Sequence, residues 1–184
     1  MAELATKVVT GLVRFSYVHV FEPHAMSDTD KAKYSVCVLI PKSDKDTLTK
    51  IKKAIEAAKE SYKSTLQDKS GKIPVNLKIP LRDGDNERPD DEAFAGMYFL
   101  NANSTRRPQV VDENLNPIID ASEFYSGCYG RVSLNFYGYN VSSKGIAAGL
   151  QNVQKLKEGE PLTGGSTAAE DFGSSSQADS DDLM

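Results

Sequence analysis

At 184 residues, with 39% hydrophobic and 26% charged side chains, the chain has the size and composition of one globular domain plus a surplus, long enough to bury a core. Its longest apolar runs, such as VCVLI at residues 36–40, are too short to span a bilayer, and the opening MAELATKVV lacks the basic start and apolar stretch of a secretory signal, so neither a membrane anchor nor export is expected. The net charge of -4 hides a split: no lysine or arginine follows Lys157 while seven acids do, and removing those seven from the 26 acids leaves 19 against 22 bases in residues 1–157, a body near +3 joined to a tail of -7.

The first element is KVVTGLVRFSYVHVF (residues 7–21), dominated by β-branched and aromatic residues and ended by Pro23. Such a run predicts a long strand, with Gly11 as the place for a bulge or sharp bend. KYSVCVLI (residues 33–40) predicts a second strand, stopped by Pro41. Both of its faces turn apolar toward the end, which suits a central position. The period then changes. Leu48, Ile51, Ile55, Ala58, Tyr62 and Leu66 recur at steps of three and four and make one stripe of a helix. Ser43 or Asp44 can accept from its free first-turn amides, and Gly71 is a natural stop. Its lysines make a solvated face.

IPVNLKIPL carries two prolines and suits an edge strand or an extended loop. RDGDNERPDDEAFAG (residues 82–96) is polar, acidic and rich in turn formers and predicts a loop. MYFLNAN and PQVVD predict short strands around STRR. GRVSLNFYGYN is the clearest strand of the body. GIAAGLQNVQKL fits either a helix or a bent closing strand, because Ile146, Leu150 and Val153 have helical spacing among small residues. From Glu158 onward glycine, serine, threonine, alanine and acids leave almost nothing to bury. Residues 158–184 are therefore expected to be a disordered acidic tail, and residues 1–157 one domain. The fold class expected is mainly β with one or two helices, a small barrel or sandwich. Cys37 and Cys128 have neither disulfide-framework nor metal-ligand spacing and are read as free thiols of a reducing cytoplasm.

The chemistry concentrates late in the chain. Six of the fifteen aromatic residues fall in residues 124–139: Phe124, Tyr125, Tyr129, Phe136, Tyr137 and Tyr139. On a strand, alternate side chains face opposite ways, so Val132, Leu134 and Phe136 make a core face. Arg131, Ser133, Asn135, Tyr137 and Tyr139 make a polar face. Rings beside cations on an exposed sheet are what an unpaired nucleic-acid strand requires. Bases stack on aromatics for about 1–3 kcal/mol each, and arginine or lysine holds the phosphates. Tyr137, Tyr139 and Arg131 are the leading DNA-binding candidates, with Tyr129, Arg106 and Arg107 beside them. Arg14, Tyr17 and Lys33 are further candidates from the first two strands. The tail suits two uses. Its carboxylates can compete with phosphates for a basic groove, and Asp179, Asp181, Asp182, Leu183 and Met184 can dock into a basic, apolar pocket of a partner. Attraction between tail and groove also favours self-association as a homodimer.

The blocks NANSTRRPQVVD, FYSGCYGRVSLNFYGYN and KGIAAGLQNVQKLKEGEPLTGG, with VCVLIPK and LRDGDNERPDD before them, resemble a family of bacteriophage single-stranded DNA-binding proteins over about residues 7–165. The resemblance implies an OB-fold-like barrel with an acidic C-terminal tail. It implies sequence-tolerant binding of single-stranded DNA in phage replication, recombination and repair, in the cytoplasm of the infected bacterial host. Tail contacts are then expected with phage replication proteins (polymerase, helicase-primase) or host replication factors. The tail ends in Leu-Met, without the terminal phenylalanine of some analogues; Phe172 is internal.

Two other readings stand beside this one. Asp83, Asp85, Asp90, Asp91 and Glu92 form an acidic cluster that could hold magnesium for a nuclease, although the spacing departs from a calcium loop and suits a solvated acidic loop better. A strand-annealing recombination protein would share the same composition. No serine or cysteine triad is evident, and His19 and His24 alone make a thin basis for acid–base catalysis. The sequence thus predicts a non-enzymatic binder with no cofactor and no metal.

Overall fold

The computed structural model describes residues 5–25, 31–141 and 143–162. Strands form where the sequence alternates. The first run divides into β1 (Lys7–Val9) and β2 (Val13–His24). The break centres on Gly11, whose N–H donates to Thr47 Oγ1 at 2.9 Å. A Cβ there would stand 2.9 Å from an Asp44 carboxylate oxygen, so only glycine lets the chain pass this close to the helix start. β1 and β2 line one edge of β7 (Tyr129–Asn140), with Lys7 opposite Asn135 and Val13 opposite Gly130.

β3 (Lys33–Pro41) lies between β2 and β5 (Met97–Ser104), in register with β5 from Tyr34 opposite Ser104 to Pro41 opposite Met97. GIAAGLQNVQKL belongs to a strand, β8 (Lys144–Lys157), and not to a helix. β8 runs antiparallel to β7 along its whole length and bends at two register shifts. It also lies parallel to β5, with Ala102 beside Ala148, and to the short β6 (Gln109–Val111). The pairings close a ring: β2 to β3 to β5 to β8 to β7 and back to β2. Closure pairs each of the five long strands with a neighbour on both sides over at least part of its length. The core fills the inside with Phe15, Val36, Val38, Leu100, Val132, Leu134 and Phe136.

The helical stripe folds as its period dictates. α1 (Lys45–Ser61) begins at Asp44, whose side chain accepts from the Thr47 N–H. Leu48, Ile51, Ile55 and Ala58 are buried against β7 and β1. Each of the three large side chains contributes about 1.5–3 kcal/mol by that burial. The helix does not run on toward Gly71. It breaks at Tyr62, and a single turn, α2 (Lys63–Leu66), redirects the chain so that Leu66 is also fully buried.

Residues 82–96 are more structured than their polarity suggests. They hold β4 (Arg82–Asp83), paired with β5, then α3 (Gly84–Glu87) and a 3-10 turn at Glu92–Phe94. Phe94 is 1% exposed and packs edge-on against Phe99, ring centroids 5.0 Å apart, over Cys37 and Leu39. This cover buries the outer side of β3, and Val36, Val38 and Ile40 bury its inner side. β3 is therefore central, as its two apolar faces predict. Cys37 and Cys128 are both buried and unpaired. Among the described residues no helix is long and apolar enough to cross a membrane.

Candidate nucleic-acid interface

The outer surface of β7 carries the first part of the site. Val132, Leu134 and Phe136 point into the core, and Asn135 and Tyr137 point out, as the alternation predicts. Neighbouring β8 offers only Gly149 opposite Asn135 and Ala147 opposite Tyr137, so the strand floor there is low. A cleft of about 690 Å³ opens over it, with Tyr137 in its wall. The β5–β6 connection contributes Arg106 and Arg107, β3 contributes Lys33, and β1 contributes Lys7. The remaining polar lining is mostly amides, including Asn103, Asn135 and Gln151. Tyr137 is half-buried. Burial, then the phenols of Tyr139 and Tyr62, push its hydroxyl above the usual tyrosine range.

A second cleft, of about 780 Å³, lies over β2, β3 and β5. Lys33 and Asn103 border both clefts, so the two adjoin. Tyr17 stands at this one, 52% exposed, with φ of +47°. A bulky residue in the left-handed region is strained, and here the pairing of β2 with β3 shifts register between Ser16 and His19. The shift turns the ring outward. Lys31, Arg88, His19 and His24 complete the charged and titratable part of the wall, with Asn101 and Cys37 on the floor. The Cys37 thiol is pushed up to about 12 by burial, which makes it inert. Together the two clefts carry six cations and, among the described residues, no carboxylate. None of these six forms a salt bridge with a described residue.

The structure thus brings together Lys33, Arg106, Arg107, Tyr137 and Tyr17 from the sequence-predicted set. It places the others elsewhere. Arg14 Nε donates to the Gly127 carbonyl at 3.0 Å, a terminal nitrogen donates to the Glu160 carbonyl at 2.6 Å, and the guanidinium lies 5.3 Å from the Tyr129 ring centre. Lys157 sits 5.5 Å from the same ring. Arg14 and Tyr129 therefore hold the chain as it leaves β8. Arg131 faces outward, but its Nε donates to the Thr10 carbonyl at 2.9 Å and ties β7 to the β1–β2 bend. Tyr139 packs at the far end of β7, where its hydroxyl would stand 2.6 Å from any Cβ at Gly145. Neither lines either of the two clefts. Asp179, Asp181, Asp182, Leu183 and Met184 lie outside the described residues.

Residues 158–162, expected in the tail, are held to the body. Glu158 accepts from Tyr125 and Lys155, the Tyr125 hydroxyl oxygen accepts from the Gly159 N–H at 3.1 Å, and the Leu162 N–H donates to the Ser126 carbonyl at 2.7 Å. Gly127 permits this approach: a Cβ there would fall 2.1 Å from the Glu160 carbonyl oxygen. Lys7, Lys31, Arg88 and the two histidines are site residues that sequence reasoning did not select.

The acidic segment has other work. Lys42 Nζ lies 2.8 Å from Asp83 and 2.7 Å from Asp85. Its ammonium holds both carboxyls below the usual aspartate range. Asp85 also accepts from the Gly96 N–H and Asp91 from the Ala93 N–H, so these acids organise the cover over β3. Among the described residues no group of three or more metal-ligating side chains is placed to hold an ion.

A model of the family described as "Enterobacter phage Enc34, ssDNA-binding protein" matches residues 6–184. The chain belongs to this Enc34-type family of phage single-stranded DNA-binding proteins. Among its relatives is putative protein p50 of Acyrthosiphon pisum secondary endosymbiont phage 1, 33% identical over 190 residues, covering 97% of this chain and 98% of that protein. Among solved structures, the single-stranded DNA-binding protein of bacteriophage Enc34 in complex with ssDNA superposes with a TM-score of 0.76 at 28% identity, covering 86% of this chain and 90% of that one. The single-stranded DNA-binding protein gp2.5 of bacteriophage T7 shares the fold, with a TM-score of 0.63 at 13% identity over 88% of this chain and 97% of its own.

Proposed function

We propose that this chain binds single-stranded DNA with little regard to sequence, along the two adjoining clefts. The observation that carries the reading is the pair of adjoining clefts with six cations and, among the described residues, no carboxylate, flanked by Tyr17 and Tyr137, on a protein of the Enc34-type family. Around the barrel the five long strands, taken in chain order, run first, second, third, fifth, fourth. We read this order as an OB-fold-like barrel, a fold whose second and third strands face the ligand in oligonucleotide binders. Here those strands are β3 and β5, the floor of the second cleft.

Lys7, Lys31, Lys33, Arg88, Arg106 and Arg107 take the phosphates, and the two phenol rings take bases. Every base has a π face, so stacking tolerates any sequence. Cleft amides satisfy base edges without demanding one base. Membership of a phage single-stranded DNA-binding family is what supports extending the reading to service in phage DNA replication, recombination and repair inside the infected host. The acidic tail acts as a competitor for the trough and as a docking segment for replication proteins, through Asp179, Asp181, Asp182, Leu183 and Met184. Tail-to-trough attraction between copies favours a homodimer.

A fluorescence titration of labelled single-stranded and duplex oligonucleotides at two salt concentrations tests the binding. Preference for the single strand, weakening with salt at a log–log slope of about -0.7 per phosphate contacted, supports the reading. Equal affinity for duplex overturns it.

A further inference from the structure

His19 and His24 belong to no role assigned so far. Both sit on β2, opposite Ser35 and Lys33 of β3. The strand between them is irregular, and the irregularity brings the rings face to face, centroids 4.2 Å apart and planes within 8°. Both line the second cleft.

The charged and titratable groups around this pair can be named element by element. β2 supplies Tyr17. β3 supplies Lys33 and Cys37, and Lys31 precedes it. The cover over β3 supplies Arg88 in the wall, with the Asp91 carboxylate behind it and near enough to act on the Cys37 thiol, and β5 supplies only amides. Glu22 lies between the histidines in sequence but is not part of the cleft wall. Among the described residues the cleft wall therefore offers an imidazolium no opposite charge. Burial, then the like charge of His24, holds His19 below the ordinary histidine range. An anion entering the cleft reverses that balance, because a phosphate beside an imidazole favours its charged form.

We infer that His19 and His24 contact the bound strand, and that the pair takes up a proton when a DNA phosphate enters the cleft, so that single-stranded DNA is held more tightly in mildly acid solution. This rests on the proposed binding of single-stranded DNA along the trough. Proton uptake and affinity are linked: each unit by which the bound phosphate raises an imidazole pKa strengthens binding up to about tenfold once the pH falls below the free-protein value.

The experiment is calorimetric titration of the full chain with an oligothymidylate at constant ionic strength, at pH 7.5 and 5.5, in buffers of different ionisation enthalpy. Wild type is expected to bind several-fold more tightly at the lower pH and to take up protons on binding, read from the buffer dependence of the heat. His19→Gln/His24→Gln is expected to bind with neither the pH dependence nor the uptake, its fold checked by thermal unfolding. Wild-type binding without pH dependence or proton uptake overturns this inference and leaves the binding proposal standing. The same pH dependence in the double variant also overturns it. Absence of binding at both pH values overturns both. Should the double variant not fold, the wild-type proton count alone decides.

Discussion

Arg14 donates to the carbonyl oxygen of Glu160 at 2.6 Å, across 146 positions of chain. With its second bond to Gly127 and its place over Tyr129, this arginine pins the segment leaving β8 to the start of β2. Arg14→Gln is therefore expected to lower unfolding stability by about 1–3 kcal/mol, because charge-assisted bonds to two carbonyls are lost. The salt slope of DNA binding should stay as in wild type. Chemical denaturation and a salt-dependent titration check the two halves, and a reduced salt slope would return Arg14 to the DNA path.

Tyr137 and Phe136 are neighbours in sequence with opposite duties. Phe136 is fully buried and Tyr137 lines the cleft. Phe136→Ala is expected to cost about 3–5 kcal/mol of stability. Tyr137→Ala is expected to cost about 1–3 kcal/mol of binding energy for single-stranded DNA. Melting curves beside affinity measurements separate the effects. A Tyr137→Ala protein with wild-type affinity would make that ring part of the barrel rim.

What the sequence revealed follows from how local each signal is. The stripe of Leu48, Ile51, Ile55 and Ala58, the Asp44 cap and the alternation of residues 134–137 depend on near neighbours and are present in the fold, whereas Ser133, expected on the polar face, is buried at a register shift, where its hydroxyl accepts from the Asn152 N–H. β8 was ambiguous because alanine and glycine carry little periodic information; its pairing with β7 and β5 makes it a strand. Phe94 gave no warning, as one aromatic in a polar loop looks the same whether it plugs a core or faces water. The site needed topology. Arg14 and Arg106 are equal in sequence, but only the first meets Glu160 and Gly127. Lys7, Lys31 and Arg88 reach the trough because β1, the approach to β3 and the 82–96 cover converge there.

The Lys42 bridge gives a stability term with a defined pH range. Asp83 and Asp85 have folded-state pKa values below those of the unfolded chain, with the Lys42 hydrogen bonds as the main cause. Depressed carboxyls stabilise the fold above the unfolded value, near pH 4, and that contribution is lost as the pH falls through the folded values. Lys42→Met should lower the melting temperature at neutral pH, and its difference from wild type should shrink in acid. Thermal melts across that range check the sign, and a gap that widens in acid would contradict it.

The trough itself is most directly tested by reversing its charge. The Lys33→Glu/Arg106→Glu/Arg107→Glu protein should melt like wild type, because none of the three bridges a described carboxylate. Its affinity for a single-stranded oligonucleotide should fall by about 100-fold or more in moderate salt, with a salt slope shallower by about 2. A folded triple variant that binds single-stranded DNA as tightly as wild type would contradict the account.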